Sequence, residues 1–149
     1  MKKGSSKALL ALAAVVSLSQ VPVSAAVPKE ADERIVVQLN VPDSKAIGMS
    51  LMNVTNIIAA SLADGHNPAI SVVVFGKALS SFTTKPGSEF AAAIKTLSAG
   101  GHVRFVACHK SMQKFGYGPQ DILPEFSVVP SGAYEIIKLQ KQGYLYFRP

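Results

Sequence analysis

One residue in this chain has both the type and the setting to do covalent chemistry. Cys108 is the only cysteine among the 149 residues. It closes the apolar run His102-Val103-Arg104-Phe105-Val106-Ala107-Cys108, which follows the pair Gly100-Gly101. The polar stretch Lys110-Ser111-Met112-Gln113-Lys114-Phe115 begins just after it. That arrangement predicts a strand, then the thiol, then a helix. A thiol at such a junction lies beside the helix's unpaired N–H groups and the positive end of its dipole, which favours thiolate over thiol. The thiolate is the nucleophilic form. With no second cysteine, an internal disulfide is impossible. The residue is buried and inert, paired between chains, or a free reactive thiol.

In an open parallel sheet, ligands gather outside the carboxyl ends of the strands. Such a sheet would bring Asn40, Lys77, Cys108 and Ser131 to one end. Lys77 there would add a positive charge beside the thiolate, or else is a solvated loop lysine. His109 adjoins Cys108 and either tunes the thiol or faces solvent. Ser131 reads first as a helix cap, because no G-x-S-x-G elbow surrounds it. His102 opens a strand and His66 follows a helix-ending glycine; both read as surface positions. No metal site is predicted, since neither CxxC nor HxxxH spacing occurs. Gly76-Lys77 lacks the glycine-rich run and the Ser or Thr of a phosphate loop. Asn53 and Asn56 share a helix face that is either solvated or a subunit contact.

The elements that must position these residues alternate along the chain. Arg34 to Val41 is rich in β-branched residues and predicts a strand. Asp43 or Ser44 caps a helix over Lys45 to Ala63, with Ile47, Leu51, Val54, Ile58 and Leu62 as its apolar stripe, and Asp64-Gly65 ends it. Ala69 to Phe75 is an almost wholly apolar strand, as expected where both faces are covered. Pro86-Gly87-Ser88 introduces a helix from Glu89 to Ala99, with Phe90, Ile94 and Leu97 inward. The strand leading to Cys108 and a short helix to Phe115 follow. Asp121-Ile122-Leu123-Pro124 is a tight turn with two apolar anchors. Phe126 to Val129 is a strand, Pro130-Ser131 starts a helix through Gln142 with Ile136, Ile137 and Leu139 buried, and Tyr144 to Phe147 is a last strand. Alternation of this kind predicts an α/β domain with a mostly parallel sheet and helices on both faces.

Composition narrows the function classes. Apolar residues make up 48% and charged residues 16%, which excludes a disordered chain. Lys and Arg total 15 against 9 Asp and Glu, a formal +6. Three of those lysines, Lys2, Lys3 and Lys7, sit in an N-terminal leader. The remaining basic residues are scattered, without an Arg-rich run or interleaved aromatics, which speaks against nucleic-acid binding. Met1 to Lys7 is basic, Ala8 to Leu18 is apolar but too short to span a bilayer, and Val23-Ser24-Ala25-Ala26 offers small residues for cleavage. Residues 1–26 therefore read as a signal peptide cut after Ala25 or Ala26, residues 27–33 as a linker, and residues 34–149 as one domain. The expected location is periplasmic or secreted, with no membrane contact once the leader is removed.

Four pieces of the chain, taken in order, resemble the DsrE/DsrF-like family. They are Leu51-Met52-Asn53-Val54-Thr55-Asn56-Ile57-Ile58, Val72-Val73-Val74-Phe75-Gly76-Lys77-Ala78, Val103-Arg104-Phe105-Val106-Ala107-Cys108, and the closing run from Val129-Pro130-Ser131-Gly132 to Leu139-Gln140-Lys141-Gln142-Gly143-Tyr144. The resemblance implies a three-layer α/β/α fold on a five-stranded parallel sheet, and assembly into homo- or hetero-oligomers. In sulfur-relay members a cysteine at this strand end accepts sulfane sulfur as a persulfide, and Cys108 matches that position. The family also holds members without relay activity, and its known relay partners work in the cytoplasm, whereas this chain carries an export leader. Two readings follow. In one, the protein is a periplasmic sulfur handler whose Cys108 thiolate exchanges sulfur with a thiol-bearing donor or acceptor protein. In the other, it is a non-catalytic oligomeric module that binds a small ligand, with Cys108 as lining. The small-residue face at Ala91-Ala92-Ala93 suits packing between copies. Neither reading calls for a cofactor, because the thiolate is itself the nucleophile.

Overall fold

The computed structural model describes residues 30–149; the expected leader and residues 27–29 of the linker lie outside the described residues. The β-branched runs form the strands. β1 spans Glu33–Leu39, β2 Pro68–Val74, β3 Val103–Cys108, β4 Phe126–Val129 and β5 Leu145–Phe147. They make one sheet in the order β4-β3-β2-β1-β5, and every neighbouring pair is parallel. The alternating pattern thus yields a wholly parallel sheet. The helices are α1 (Ser44–Ala63), α2 (Ala91–Ala99), α3 (His109–Phe115) and α4 (Gly132–Lys141).

Strand direction and crossover hand decide which face each helix covers. From β1 to β4 the chain steps steadily one way across the sheet, then α4 carries it back to the far side of β1. Right-handed crossovers place helices on opposite faces when the direction reverses. On one face, Val37, Leu39, Val72, Val74 and Phe105 pack under Ile47, Leu51 and Val54 of α1, Ile94 of α2 and Met112 of α3. Tilted ring pairs Phe82–Phe90 and Phe82–Phe126 tie the segments after β2 into this larger core, and Phe105–Phe126 links β3 to β4. On the other face, Val36, Val73 and Val106 are covered by Ile136 and Leu139 of α4. The result is the expected three-layer α/β/α sandwich, with its second outer layer a single helix among the described residues. Fully burying a side chain of this size stabilises by about 1.5–3 kcal/mol, so the core under α1, α2 and α3 dominates stability.

Several details depart from the expected pattern. Leu62 is 48% exposed, while Ser50 and Ser61 are buried. A helix turns about 100° per residue, so a stripe stepping mostly by four drifts around the axis, and Leu62 ends well away from Ile47. The buried hydroxyls are satisfied: Ser50 donates to the Ala46 carbonyl at 2.7 Å, and Ser61 donates to Glu33. Ile137 of α4 is likewise 48% exposed, and the chain buries Glu135 instead, at 6%. Arg104 Nη2 lies 3.3 Å from Glu135 Oε1 and Lys138 Nζ 2.7 Å from Oε2, so the buried carboxylate is paired twice. α2 starts at Ala91 rather than Glu89, without a side-chain cap. An unexpected 3-10 segment, Gly76–Phe82, follows β2 and buries Ala78, Leu79 and Phe82. It begins at Gly76, whose φ of +62° and approach to the Asn40 carbonyl suit glycine alone. The predicted cap Asp43 accepts from the Ala46 N–H at 2.6 Å.

Candidate functional site around Cys108

Cys108 is the last residue of β3, paired in register with Val129 of β4. Strand alternation sends Arg104, Val106 and Cys108 toward the face that α4 covers. The next residue, His109, already belongs to α3. Cys108 therefore takes the N-cap position of α3 with extended backbone, φ −83° and ψ 115°. Its side chain is 5% exposed. The start of α4 closes over it. A Cβ on Gly132 would lie 3.1 Å from the Cys108 Cβ and 3.2 Å from the Phe75 Cβ. Only the absence of a side chain lets the first turn of α4 approach the sheet this closely.

The polar surroundings of the sulfur come from two helix starts. Burial is the largest single influence and pushes the thiol up. Against it act the Ser111 hydroxyl and the backbone amides of Gly132, Ser111 and Lys110, and together they hold Cys108 below its ordinary value. The sulfur closes no formal capping hydrogen bond on α3; the amides act as a partial positive shell around it. Ser111 has a fixed role in this set. Its Oγ accepts from the Gly76 N–H at 2.8 Å. That bond occupies the oxygen from one side and leaves the hydroxyl proton free to point at Cys108. A neutral donor thus faces the thiolate, with its direction set by a residue 35 positions away.

The other predicted site residues divide. Ser131 caps α4, its Oγ accepting from the Tyr134 N–H at 3.4 Å, and so fixes the neighbouring Gly132. Asn40 follows β1, and its backbone carbonyl sits against Gly76; its Oδ1 is buried without a partner. Asn40 thus reaches the site through Gly76 and Ser111. Lys77 is exposed and lines a separate shallow cavity with Pro42, Ser80, Phe115 and Tyr117. It is not among the groups that act on the thiol. His109 is exposed and takes no part in stabilising the thiolate either.

Two functional positions escaped the sequence reading. Ser111 stands three residues after Cys108, one helical turn on, and that spacing was its signal. Gly132 stands directly after a serine cap, where a glycine has no propensity reason to open a helix. Ser111→Ala removes the side-chain donor and keeps the backbone amides. The pH midpoint for alkylation of Cys108 by iodoacetamide is expected to move up, while the far-UV spectrum stays that of wild type. An unchanged midpoint would remove Ser111 from the site.

A family model described as "DsrE/DsrF-like family" matches residues 36–149. Among solved structures, a protein of unknown function, MTH1491 from Methanobacterium thermoautotrophicum, superposes with a TM-score of 0.71 at 29% identity, covering 79% of this chain and 100% of that one. The ychN protein of E. coli superposes with a TM-score of 0.61 at 15% identity, covering 78% of this chain and 99% of that one, a likeness of fold alone. No curated protein matches the chain.

Proposed function

The chain belongs to the DsrE/DsrF-like family, a membership that suggests a sulfur-relay type of function, and we propose that it is an exported sulfur-handling protein with Cys108 as its carrier. One arrangement carries this reading: a buried thiol at the junction of β3 and α3, closed over by Gly132, faces the Ser111 hydroxyl and the amides of Gly132, Ser111 and Lys110, which lower its pKa against the rise that burial gives. A merely structural buried cysteine would have its thiol pushed up.

The chemistry balances without an external oxidant. The Cys108 thiolate attacks the sulfane sulfur of a donor persulfide. A new S–S bond forms on Cys108, the donor's S–S bond breaks, and the donor thiolate leaves with the bonding pair and takes up a proton. In the return step an acceptor thiolate attacks the outer sulfur, and Cys108 leaves as the thiolate. The amide shell favours this second step, because a thiol of lowered pKa is a better leaving group. The leader supports location in the periplasm or outside the cell. Self-association is also part of the proposal. No charged residue lies between Lys45 and Asp64 on α1. Met49 and Met52 stand exposed there, and Met52 lines a cavity of about 470 Å³ that α1 and α2 share. Surfaces so short of charge suit contact between subunits.

Burial of the sulfur favours the second reading, a ligand-binding module with Cys108 as lining. The two separate on one experiment. Purified protein is incubated with a sulfane-sulfur donor and weighed intact, and the alkylation rate of Cys108 is followed against pH. The relay reading expects one added sulfur and a midpoint below the ordinary thiol value; no uptake together with a midpoint at or above that value overturns it.

A further inference from the structure

Glu135 is the one polar side chain among the buried residues of the helix that roofs the thiol. Those residues, Gly132, Glu135, Ile136 and Leu139, share one side of α4. Ile136 and Leu139 pack on Val36, Val73 and Val106. A carboxylate in such a layer must be paired, because its charge is taken out of water. Arg104 of β3 donates from Nη2 to Oε1 at 3.3 Å, and Lys138 of the next turn donates from Nζ to Oε2 at 2.7 Å. Neither carboxylate oxygen is left unpaired. Replacing a buried ion pair or triad by apolar side chains of similar volume is often neutral or stabilising. Stability alone therefore gives no reason for a carboxylate here.

Two connections run from Glu135 to the site. Its backbone N–H donates to the Ser131 carbonyl at 2.9 Å and closes the first turn of α4. In that turn Gly132 sits against Cys108, with no room for a Cβ and so no side chain to hold its own position. The Glu135 side chain reaches Arg104, which stands on the same face of β3 as Cys108. Arg104 lies four residues before the thiol, about 13 Å at the usual strand rise. Glu135 thus ties the first turn of α4 to the strand that carries the sulfur. The apolar contacts of Ile136 and Leu139 are non-directional, and by themselves they let a helix slide or roll on a sheet. A charge-assisted hydrogen bond has a preferred length and angle, and it fixes where the helix stops.

We propose, on the reading of Cys108 as the carrier thiol, that Glu135 is a positioning residue for it: the ion pair with Arg104 sets the seat of α4 on β3 and so holds the Gly132 amide against the sulfur.

Glu135→Gln keeps the shape and removes the charge. Alkylation of Cys108 by iodoacetamide is followed against pH in the full chain. A direct effect of charge and a positioning effect differ in sign. Loss of a nearby negative charge by itself would make the thiolate easier to form and lower the midpoint. Loss of positioning lets the first turn of α4 move away, the Gly132 amide withdraws, and the midpoint rises. The limiting rate at high pH should also rise about tenfold or more, the loss of a charge-assisted hydrogen bond, because the roof detaches more often. Arg104→Gln, at an exposed position, should raise the midpoint too. The double variant should rise no further than the larger single change, since both break one pair. Val54→Ala, in the core on the opposite face, should lower the thermal midpoint and leave the pH midpoint at wild type. The proposal is overturned if the midpoint in Glu135→Gln falls or stays at wild type, if the two single shifts add, or if Val54→Ala shifts it as far. Should Glu135→Gln fail to fold, an unchanged midpoint in Arg104→Gln overturns it equally. Sulfur uptake is not a readout here: wild type that takes up no sulfur ends the relay reading, while the pH midpoints still decide the role of Glu135.

Discussion

Cys108→Ser is expected to abolish the gain of about 32 Da, one sulfur atom, that wild-type protein shows after incubation with a sulfane-sulfur donor. No other side chain in the chain is a thiol, so nothing can substitute. The fold should survive. Serine is close in size, and its hydroxyl can use the same Ser111, Gly132 and Lys110 donors that now face the sulfur. The variant also tests the electrostatics. Cys108 sits below its ordinary value in the folded chain. Between the folded value and the unfolded value of about 8.5, the unfolded chain binds the extra proton, so wild-type stability rises with pH across that window. It levels off above the unfolded value, and the contribution is lost as pH falls through the folded one. Urea midpoints for Cys108→Ser should lack that rise. Persistence of the added sulfur in Cys108→Ser would place the chemistry elsewhere and end the assignment.

Gly132→Ala should damage both stability and the thiol. Helix propensity alone argues the other way, since alanine is favoured over glycine by up to about 1 kcal/mol. The added Cβ, however, would meet the Cβ atoms of Cys108 at 3.1 Å and Phe75 at 3.2 Å. Those atoms are fixed to the backbone of two strand ends and cannot rotate away. The first turn of α4 must lift instead, at a cost of about 1–3 kcal/mol as for other overpacked sites. Lifting it withdraws the Gly132 amide from the sulfur, and the thiol should titrate higher than in wild type. Ala133→Gly, at the exposed neighbouring position, serves as the comparison and should leave the thiol's titration unchanged. Wild-type stability and titration in Gly132→Ala would show that the close approach has no consequence for the site.

Much of the architecture was legible because it rests on local pattern. The runs at Ile35 to Leu39, Ile70 to Val74 and Val103 to Ala107 are apolar enough to read as strands, the second as one covered on both faces, and their alternation with helices implies a parallel sheet. The position of Cys108 at a strand-to-helix junction was equally local. Other features were not local. Ser111 is oriented by an N–H 35 residues away, and no spacing rule reports such a bond. Gly132 matters because α4 lands on Cys108 and Phe75, which depends on the chain crossing to the opposite face. Lys77 follows a strand end as expected, but the 3-10 segment after Gly76 turns it toward Phe115 and Tyr117 rather than toward the thiol. The stripes were misjudged at Leu62, where each step of four residues drifts by about 40° around the axis, and at Ile137, which lies about 100° around the helix from the buried Ile136.

Among the described residues, the sheet face over Cys108 has one helix of ten residues as its roof. A roof held by so few apolar anchors is a natural unit of sub-global opening, with a free energy below that of complete unfolding. Reagents would then reach the sulfur in proportion to a pre-equilibrium between docked and detached α4. Thiol labelling would report the same opening as amide hydrogen exchange in Ile136 to Leu139, with a shallow denaturant dependence set by the area one helix uncovers. A partner that seats α4 more firmly would protect a stored sulfur from water and stray thiols, and one that pries it up would release the sulfur. The second outer layer of the sandwich would act as a latch on the thiol.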